Sequence, residues 1–407
     1  MQTQLHPQFA QTPEGRKADQ ILRSCVHCGF CNATCPTYQL LGNELDGPRG
    51  RIYLIKQILE GEAPTQKTQQ HLDRCLTCRA CETTCPSGVK YGHLLDIGRE
   101  QIEKQVPRKI SQRLFRWLLR KTIPFPKRVS LALSLGRLIR PFLPAVLKHK
   151  IPKTKTISVS HIPIHSSRKL LLIDGCVQSS SHPQINLATE ELLAILGIQT
   201  LIAPPSCCGA LSHHLSATTD ACAFMKQNID AWWPYVVDHK IEAIISTASG
   251  CGVHIKEYGE LLQAEPGYRH KAIRIAELTQ DIGEFLAKEP LEKLRVKPQR
   301  IAFHSPCTLQ HGQKLATVVE QILQSVGFEL LPVKDSHLCC GSAGTYSLLQ
   351  PIISQQLLQK KLTELETSQP EQIATANIGC LMHLQSGTST PVRHWVELIV
   401  EQANLNR

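Results

Sequence analysis

Short apolar runs alternate with longer stretches of helical period through the second half of the chain. RKLLLIDGC at 168–176, GIQTLIAPPSCCGALS at 197–212 and EAIISTASGCGVH at 242–254 each lead a strand-like run into a cysteine. The same order returns at 300–307 (RIAFHSPC), 327–344 (GFELLPVKDSHLCCGSAG) and 371–383 (EQIATANIGCLMH). The offsets are 131 residues from Cys176 to Cys307, 132 from Cys207 to Cys339 and 129 from Cys251 to Cys380, which marks an internal duplication. Between the strands lie helical segments, INLATEELLAILG and LATVVEQILQSVG. This βαβ rhythm predicts parallel sheets covered by helices, with cysteines at the carboxyl ends of the strands, where ligands gather in such sheets. The first hundred residues lack that rhythm, and RIYLIKQILEGE at 51–62 reads as an amphipathic helix.

The expected architecture is α+β and multidomain. A small, mainly helical domain spans 1–100, a basic connector 101–165, and the two α/β units 166–290 and 291–407, each with a parallel sheet. Trp232 and Trp233 read as core, and Cys222, which has no counterpart in the second unit, as a packed helix residue.

Within 1–100, two runs share the spacing C-x2-C-x2-C-x3-C-P: Cys25, Cys28, Cys31, Cys35, Pro36 and Cys75, Cys78, Cys81, Cys85, Pro86. Soft thiolates at this spacing suit iron–sulfur cubanes. Three cysteines two residues apart wrap one cluster, and in the bacterial two-cluster run the fourth, before proline, ligates the other cluster. This pattern puts Cys25, Cys28, Cys31 and Cys85 on one [4Fe–4S] cluster and Cys75, Cys78, Cys81 and Cys35 on a second. Structural zinc, the alternative, needs only the C-x2-C half-sites and uses neither the third cysteine nor the Cys-Pro step. Gly47-Pro48-Arg49-Gly50-Arg51 reads as a turn with two solvated arginines entering a helix; the other reading has its guanidiniums facing the clusters.

In the duplicated units, Cys176, Cys207, Cys208 and Cys251 correspond to Cys307, Cys339, Cys340 and Cys380. Each adjacent pair is followed by glycine, which lets backbone approach a ligand closely. Both units end Cys-x-x-His, with His254 and His383 as candidates to face the site.

Two ferredoxin-like runs followed by two Cys-Cys-Gly units resemble the family that contains the iron–sulfur subunits of glycolate oxidase, anaerobic glycerol-3-phosphate dehydrogenase and lactate utilisation, with heterodisulfide reductase subunits. The glycolate oxidase branch is most similar. The resemblance implies an electron-transfer subunit that is not active alone. FAD-bearing partner subunits would oxidise glycolate to glyoxylate, and electrons would pass through two [4Fe–4S] clusters toward the respiratory quinone pool. It also implies an additional noncubane cluster at the Cys-Cys-Gly cysteines, with the second unit the better candidate. In the heterodisulfide reductase relatives the motif ends Cys-x-x-Cys, and His254 and His383 stand where that last cysteine would be. The alternative functions are an iron–sulfur subunit of a related lactate or glycerol-3-phosphate complex, or a catalytic subunit reducing a heterodisulfide or a quinone at these units.

The rest of the composition narrows the picture. The chain has 407 residues, 17 of them cysteine, with 42% hydrophobic and 19% charged residues. That balance is globular, and free thiols in such number point to a reducing compartment and to metal. No Gly-x-Gly-x-x-Gly fingerprint or phosphate loop is visible, so FAD and NAD belong to other chains. The N-terminus lacks the apolar stretch of a signal peptide, and no run approaches the roughly 18 apolar residues of a membrane span, so a cytoplasmic location is expected. The net charge is +11, and the segment from Lys104 to Ile173 holds 17 Lys and Arg with no Asp or Glu. Its leucines, Trp117 and Phe115 opposite cations suit peripheral attachment at the cytoplasmic face of the inner membrane or an acidic partner, and a solvated connector is the simpler alternative. Nucleic acid is excluded, because the arginines are interleaved with aliphatic rather than aromatic residues and no nuclease motif accompanies them.

Overall fold

The computed structural model describes residues 1–140 and 166–405. The stretch 141–165, which completes the expected connector, lies outside the described residues. Helices Pro13–Ser24, Pro48–Leu59, Gln66–Asp73 and Tyr91–Gln105 form the N-terminal domain. Their apolar stripes meet in one core, with Leu22, Ile55, Leu72, Leu94 and Ile102 buried together with Cys25, Cys75 and Cys81. The helix expected at 51–62 is Pro48–Leu59, started by proline at its first turn, and its Ile52, Ile55, Ile58 and Leu59 face inward. Ile55 sits so close to Gly98 that an added Cβ there would lie 2.6 Å from Ile55 Cγ1.

Two connector helices follow, Ile110–Thr122 and Pro126–Ile139. Arg108 and Arg116 pair with Asp73, and Arg120 with Asp220, which ties the first of them to both neighbouring domains. Ile110, Leu114, Trp117, Leu118, Leu131 and Leu135 remain exposed. Among the described residues, no helix is long and apolar enough to cross a membrane.

Each duplicated unit contains a four-stranded, fully parallel sheet. Strands β1 (Lys169–Leu172), β2 (Gln199–Ile202), β3 (Ala243–Ser246) and β4 (Thr279–Asp281) take the order β2-β1-β3-β4. Strands β5 (Arg300–His304), β6 (Glu329–Leu331), β7 (Gln372–Thr375) and β8 (Val392–His394) take the equivalent order β6-β5-β7-β8. The sequence pattern predicts three strands per unit. The fourth is only three residues long in each, and neither TQD nor VRH carries an apolar run.

The two units share one core, and the first unit keeps a second of its own around Trp232 and Tyr258. The C-terminal helix Trp395–Leu405 supplies Trp395, Val396, Leu398 and Ile399 to a cluster that includes Leu170, Leu192 and Phe285 of the first unit and Ile301 and Phe303 of the second. A buried His394 reaches across as well, its Nε2 3.0 Å from the Thr247 carbonyl oxygen. Trp232 is buried and stacks on Tyr258, Trp233 packs at the edge of the same cluster, and Cys222 is half-buried on helix Thr218–Asp238.

Truncating Trp395 to Ala is expected to cost about 3–5 kcal/mol in chemical denaturation. Because the core is shared, hydrogen exchange should quicken in β1 and β3 as well as in β5 and β7. Faster exchange in the second sheet alone would show two independent cores.

Candidate metal centre

The two cysteine runs fold alike. Cys25 and Cys75 each follow the last turn of a helix, with their N–H groups bonded to Leu22 O at 3.1 Å and Leu72 O at 3.2 Å. The loop beyond then coils tightly, with positive φ at His27 (60°) and Gly29 (88°) in one run and at Thr77 (54°) and Arg79 (61°) in the other. Left-handed residues at every second position turn a short loop back on itself and point successive groups to one side. Three of these four residues carry a Cβ, so the coiled shape is held against local preference by its surroundings. One-turn helices, Phe30–Ala33 and Ala80–Thr84, carry the third cysteines and lead to Cys35 and Cys85. Pro36 then opens helix Pro36–Leu41, whereas Pro86 enters a turn.

Cys25, Cys28, Cys31 and Cys85 line one cavity together with Cys81 of the second run, and Ile52 and Val89 help to close it. Burial, and then the negative charge of Cys25, Cys85 and Cys28, pushes the Cys31 thiol up to about 11. In the second run burial likewise raises Cys78 and Cys81 well above the usual thiol value. The nearest charges on Cys78 are Cys307, Cys35 and Cys75, and on Cys81 they are Cys78 and Cys75. All eight thiols are free of disulfides. Thiols crowded in this way resist ionisation until a cation neutralises them, which is the behaviour of a metal-ligand set.

Arg51 corrects the reading of a solvated turn. Its side chain is 1% exposed, with Nε donating to His71 O at 2.8 Å and Nη1 to Thr37 Oγ1 at 3.2 Å. Nη2 lies 3.7 Å from Asp46 Oδ1 and has no hydrogen-bond partner among the described residues. Burial opposes the guanidinium charge, but Cys75, Tyr91, Cys35 and Asp46 around it raise its pKa above the ordinary arginine value. Asp46 is itself fully buried and also binds Arg74 at 2.8 Å and His71 at 2.9 Å. A buried, unsatisfied donor beside Cys35 and Cys75 suits the anionic sulfur of a cluster. Arg49 pairs with Glu44 at 2.6 Å near the surface and also lines the cavity of the first run, its guanidinium against Gly29, so it meets both readings.

The Cys-Cys-Gly cysteines gather at the carboxyl ends of their strands. In both copies the glycine is left-handed, Gly209 at φ 93° and Gly341 at φ 91°. Its N–H points at the first thiol of the pair, 3.4 Å from Cys207 Sγ and 3.5 Å from Cys339 Sγ. A Cβ at Gly341 would meet the Ser354 carbonyl oxygen at 2.7 Å, so glycine is required there for space as well as for conformation. In the second copy, Cys307 and Cys339 stand 3.8 Å apart, sulfur to sulfur. Cys340, Cys380 and His304 bring donor atoms within 4.8 Å of one another. His383, a sequence candidate, instead bonds Ser354 Oγ at 3.2 Å. His304 was missed, although it stands three residues before Cys307 in the stretch RIAFHSPC. In the first copy, His254 is buried beside Cys208.

The second run is wedged against both units. Leu76, Cys78 and Ala80 share an apolar cluster with Cys307, Cys339 and Tyr346. Tyr346 donates to Arg74 O at 2.9 Å, and Arg79 forms a two-point ion pair with Glu257 of the first unit.

Comparison with known proteins fits this arrangement. Residues 21–89 match the 4Fe-4S dicluster domain, and residues 170–256 and 301–385 each match the cysteine-rich domain. The glycolate oxidase iron-sulfur subunit of Escherichia coli (strain K12) is 52% identical over 405 residues, covering 99% of both chains. The chain belongs to the family of glycolate oxidase iron–sulfur subunits. A probable glycolate oxidase iron-sulfur subunit of Bacillus subtilis (strain 168) is 30% identical over 94% of each chain. Lactate utilization protein A of Geobacillus thermodenitrificans (strain NG80-2) is 27% identical over 53% of this chain and 90% of its own. A crystal structure of a hypothetical protein from Helicobacter pylori shares the fold, with TM-score 0.53 and 10% identity over 97% of this chain and 73% of that one. As a member of this family the chain carries iron–sulfur clusters and has an electron-transfer role.

Replacing Arg51 with Met removes the buried charge beside Cys35 and Cys75 without opening a large cavity. Redox titration followed by electron paramagnetic resonance should show one cluster shifted by at least about 60 mV to lower potential, the one-electron equivalent of a tenfold change. Equal shifts in both clusters, or none, would contradict this placement.

Proposed function

We propose that this chain is the electron-transfer subunit of a complex that oxidises glycolate, or a closely related 2-hydroxy acid, at a flavin in partner subunits. Electrons then travel through this chain toward the respiratory chain. The observation that carries the reading is the close packing of two four-cysteine runs on a family scaffold that has no dinucleotide fingerprint of its own. Cys25, Cys28, Cys31 and Cys85 hold one [4Fe–4S] cluster, and Cys75, Cys78, Cys81 and Cys35 hold the other. When bound, such a pair supplies one-electron transfer between neighbouring centres. The residues around it do the remaining work. Ile52, Val89 and Tyr91 line the cavity beside the thiolates, and Thr77 N–H and the Tyr91 hydroxyl donate to Cys75 Sγ at 3.4 and 3.6 Å, which lowers the charge on that ligand.

The connector helices have a separate role. Exposed Ile110, Leu114, Trp117 and Leu118 alternate with cations, a pattern suited to resting on the anionic cytoplasmic face of the inner membrane, close to the quinone pool. A second reading has the Cys-Cys-Gly units reduce the acceptor themselves, and it draws on one observation, the packing of Cys78 against Cys307 and Cys339.

Substituting Cys35 by Ser tests the crossed ligation. The variant should lose about half its iron, and the surviving paramagnetic signal should belong to the cluster of Cys25, Cys28 and Cys31. Loss of that cluster alone would refute the assignment. In the assembled complex, anaerobic glycolate should reduce the clusters of the wild-type chain; clusters that stay oxidised while the flavin is reduced would place this chain outside the electron path.

A further inference from the structure

A second donor set lies where the N-terminal domain meets the first Cys-Cys-Gly unit, just beyond Cys207, Cys208 and Gly209. Asp96 projects from helix Tyr91–Gln105, and His213 and His214 from the short helix Ala210–His214 that follows Gly209. One ligand atom from each of the three lies within 4.8 Å of the others. Neighbouring residues on a helix normally diverge by about 100°, yet both imidazoles turn to the same carboxylate. His214 Nδ1 is 3.4 Å from Asp96 Oδ1, and His213 Nδ1 is 3.8 Å from Asp96 Oδ2. Both separations exceed the 2.7–3.2 Å of a good N–H···O hydrogen bond. The 3.4 Å separation matches the edge, about 3.3 Å, of a tetrahedron whose corners stand about 2.0–2.1 Å from a central zinc ion, whereas the 3.8 Å one is longer and runs to the other carboxylate oxygen.

The surroundings fit the same reading. His213 Nδ1 is buried and has no hydrogen-bond partner among the described residues, and neither has Nε2 of His254, which is 2% exposed. The His254 ring centre lies 5.4 Å from that of His213 and 6.3 Å from that of His214. Two imidazoles with one carboxylate are a donor set for zinc-class ions rather than for calcium or magnesium.

We propose that Asp96, His213 and His214 bind one divalent transition-metal ion of the zinc class, which clamps the N-terminal domain onto the first Cys-Cys-Gly unit, with His254 beside the fourth position. The ion would be structural, with no thiolate among these three ligands.

The test uses the full-length, cluster-loaded chain equilibrated with zinc sulfate and then desalted. Elemental analysis should give about one zinc per chain, and absorption at the zinc edge should show only nitrogen and oxygen at about 2.0–2.1 Å. Asp96→Asn and His213→Gln should each weaken zinc binding at least tenfold while iron content stays unchanged. The wild-type spectrum decides the matter even if a variant folds poorly. No bound zinc, sulfur in its shell at about 2.3 Å, or full zinc retention in well-folded variants would overturn the proposal.

Discussion

Thiolates repel one another, and this chain buries them in groups. Burial alone raises Cys78 and Cys81, and the neighbouring sulfurs raise them further, so the metal-free arrangement holds protons that iron must displace. Everything around the two runs serves to hold the sulfurs in place despite that repulsion. Left-handed residues coil the loops, helix ends fix the first cysteine of each run, and a buried Arg51 adds positive charge where two sulfurs, Cys35 and Cys75, converge. The guanidinium is held in turn by Asp46, which Arg74 and His71 share. A buried charge network of this kind contributes little net stability but fixes geometry, because removing one member leaves the others unpaired.

The same logic explains the assembly of the domains. The second run is not at a free surface; Cys78 packs against Cys307 and Cys339, and Arg79 anchors to Glu257. The N-terminal domain therefore sits on the junction of the duplicated units, which are themselves joined through one core by Trp395 and its helix. A chain built this way keeps its cysteine groups at fixed separations. Fixed separation is what electron transfer requires of a protein, since no side chain has to move in the step.

Much of this was legible in the sequence because the relevant information is local. Cysteine spacing within eleven residues determines which sulfurs share a loop, and the nearly constant offset between copies, 131 residues from Cys176 to Cys307, revealed the duplicated sheets. The family and the fold class followed from those two patterns. What escaped depends on contacts between distant segments. Arg51 is buried where Thr37, Asp46 and His71 converge on it, and nothing in its own neighbourhood signals that. Asp96 meets His213 and His214 across more than a hundred residues. Strands β4 and β8 are too short to show a period and exist because a parallel neighbour satisfies their backbone. His304 was within reach. It ends a strand three residues before Cys307, and the equivalent place in the first copy, three residues before Cys176, holds the apolar Ile173, so the exchange of an apolar residue for an imidazole sets the second unit apart.

The most direct test of the account is iron and acid-labile sulfide per chain in anaerobically purified protein, combined with low-temperature electron paramagnetic resonance of the reduced form. Two clusters held by the paired runs require about eight irons and eight sulfides, with the broadened signal of two reduced cubanes in contact. About four irons with a single isolated signal, or zinc held by the cysteines in place of iron, would contradict it.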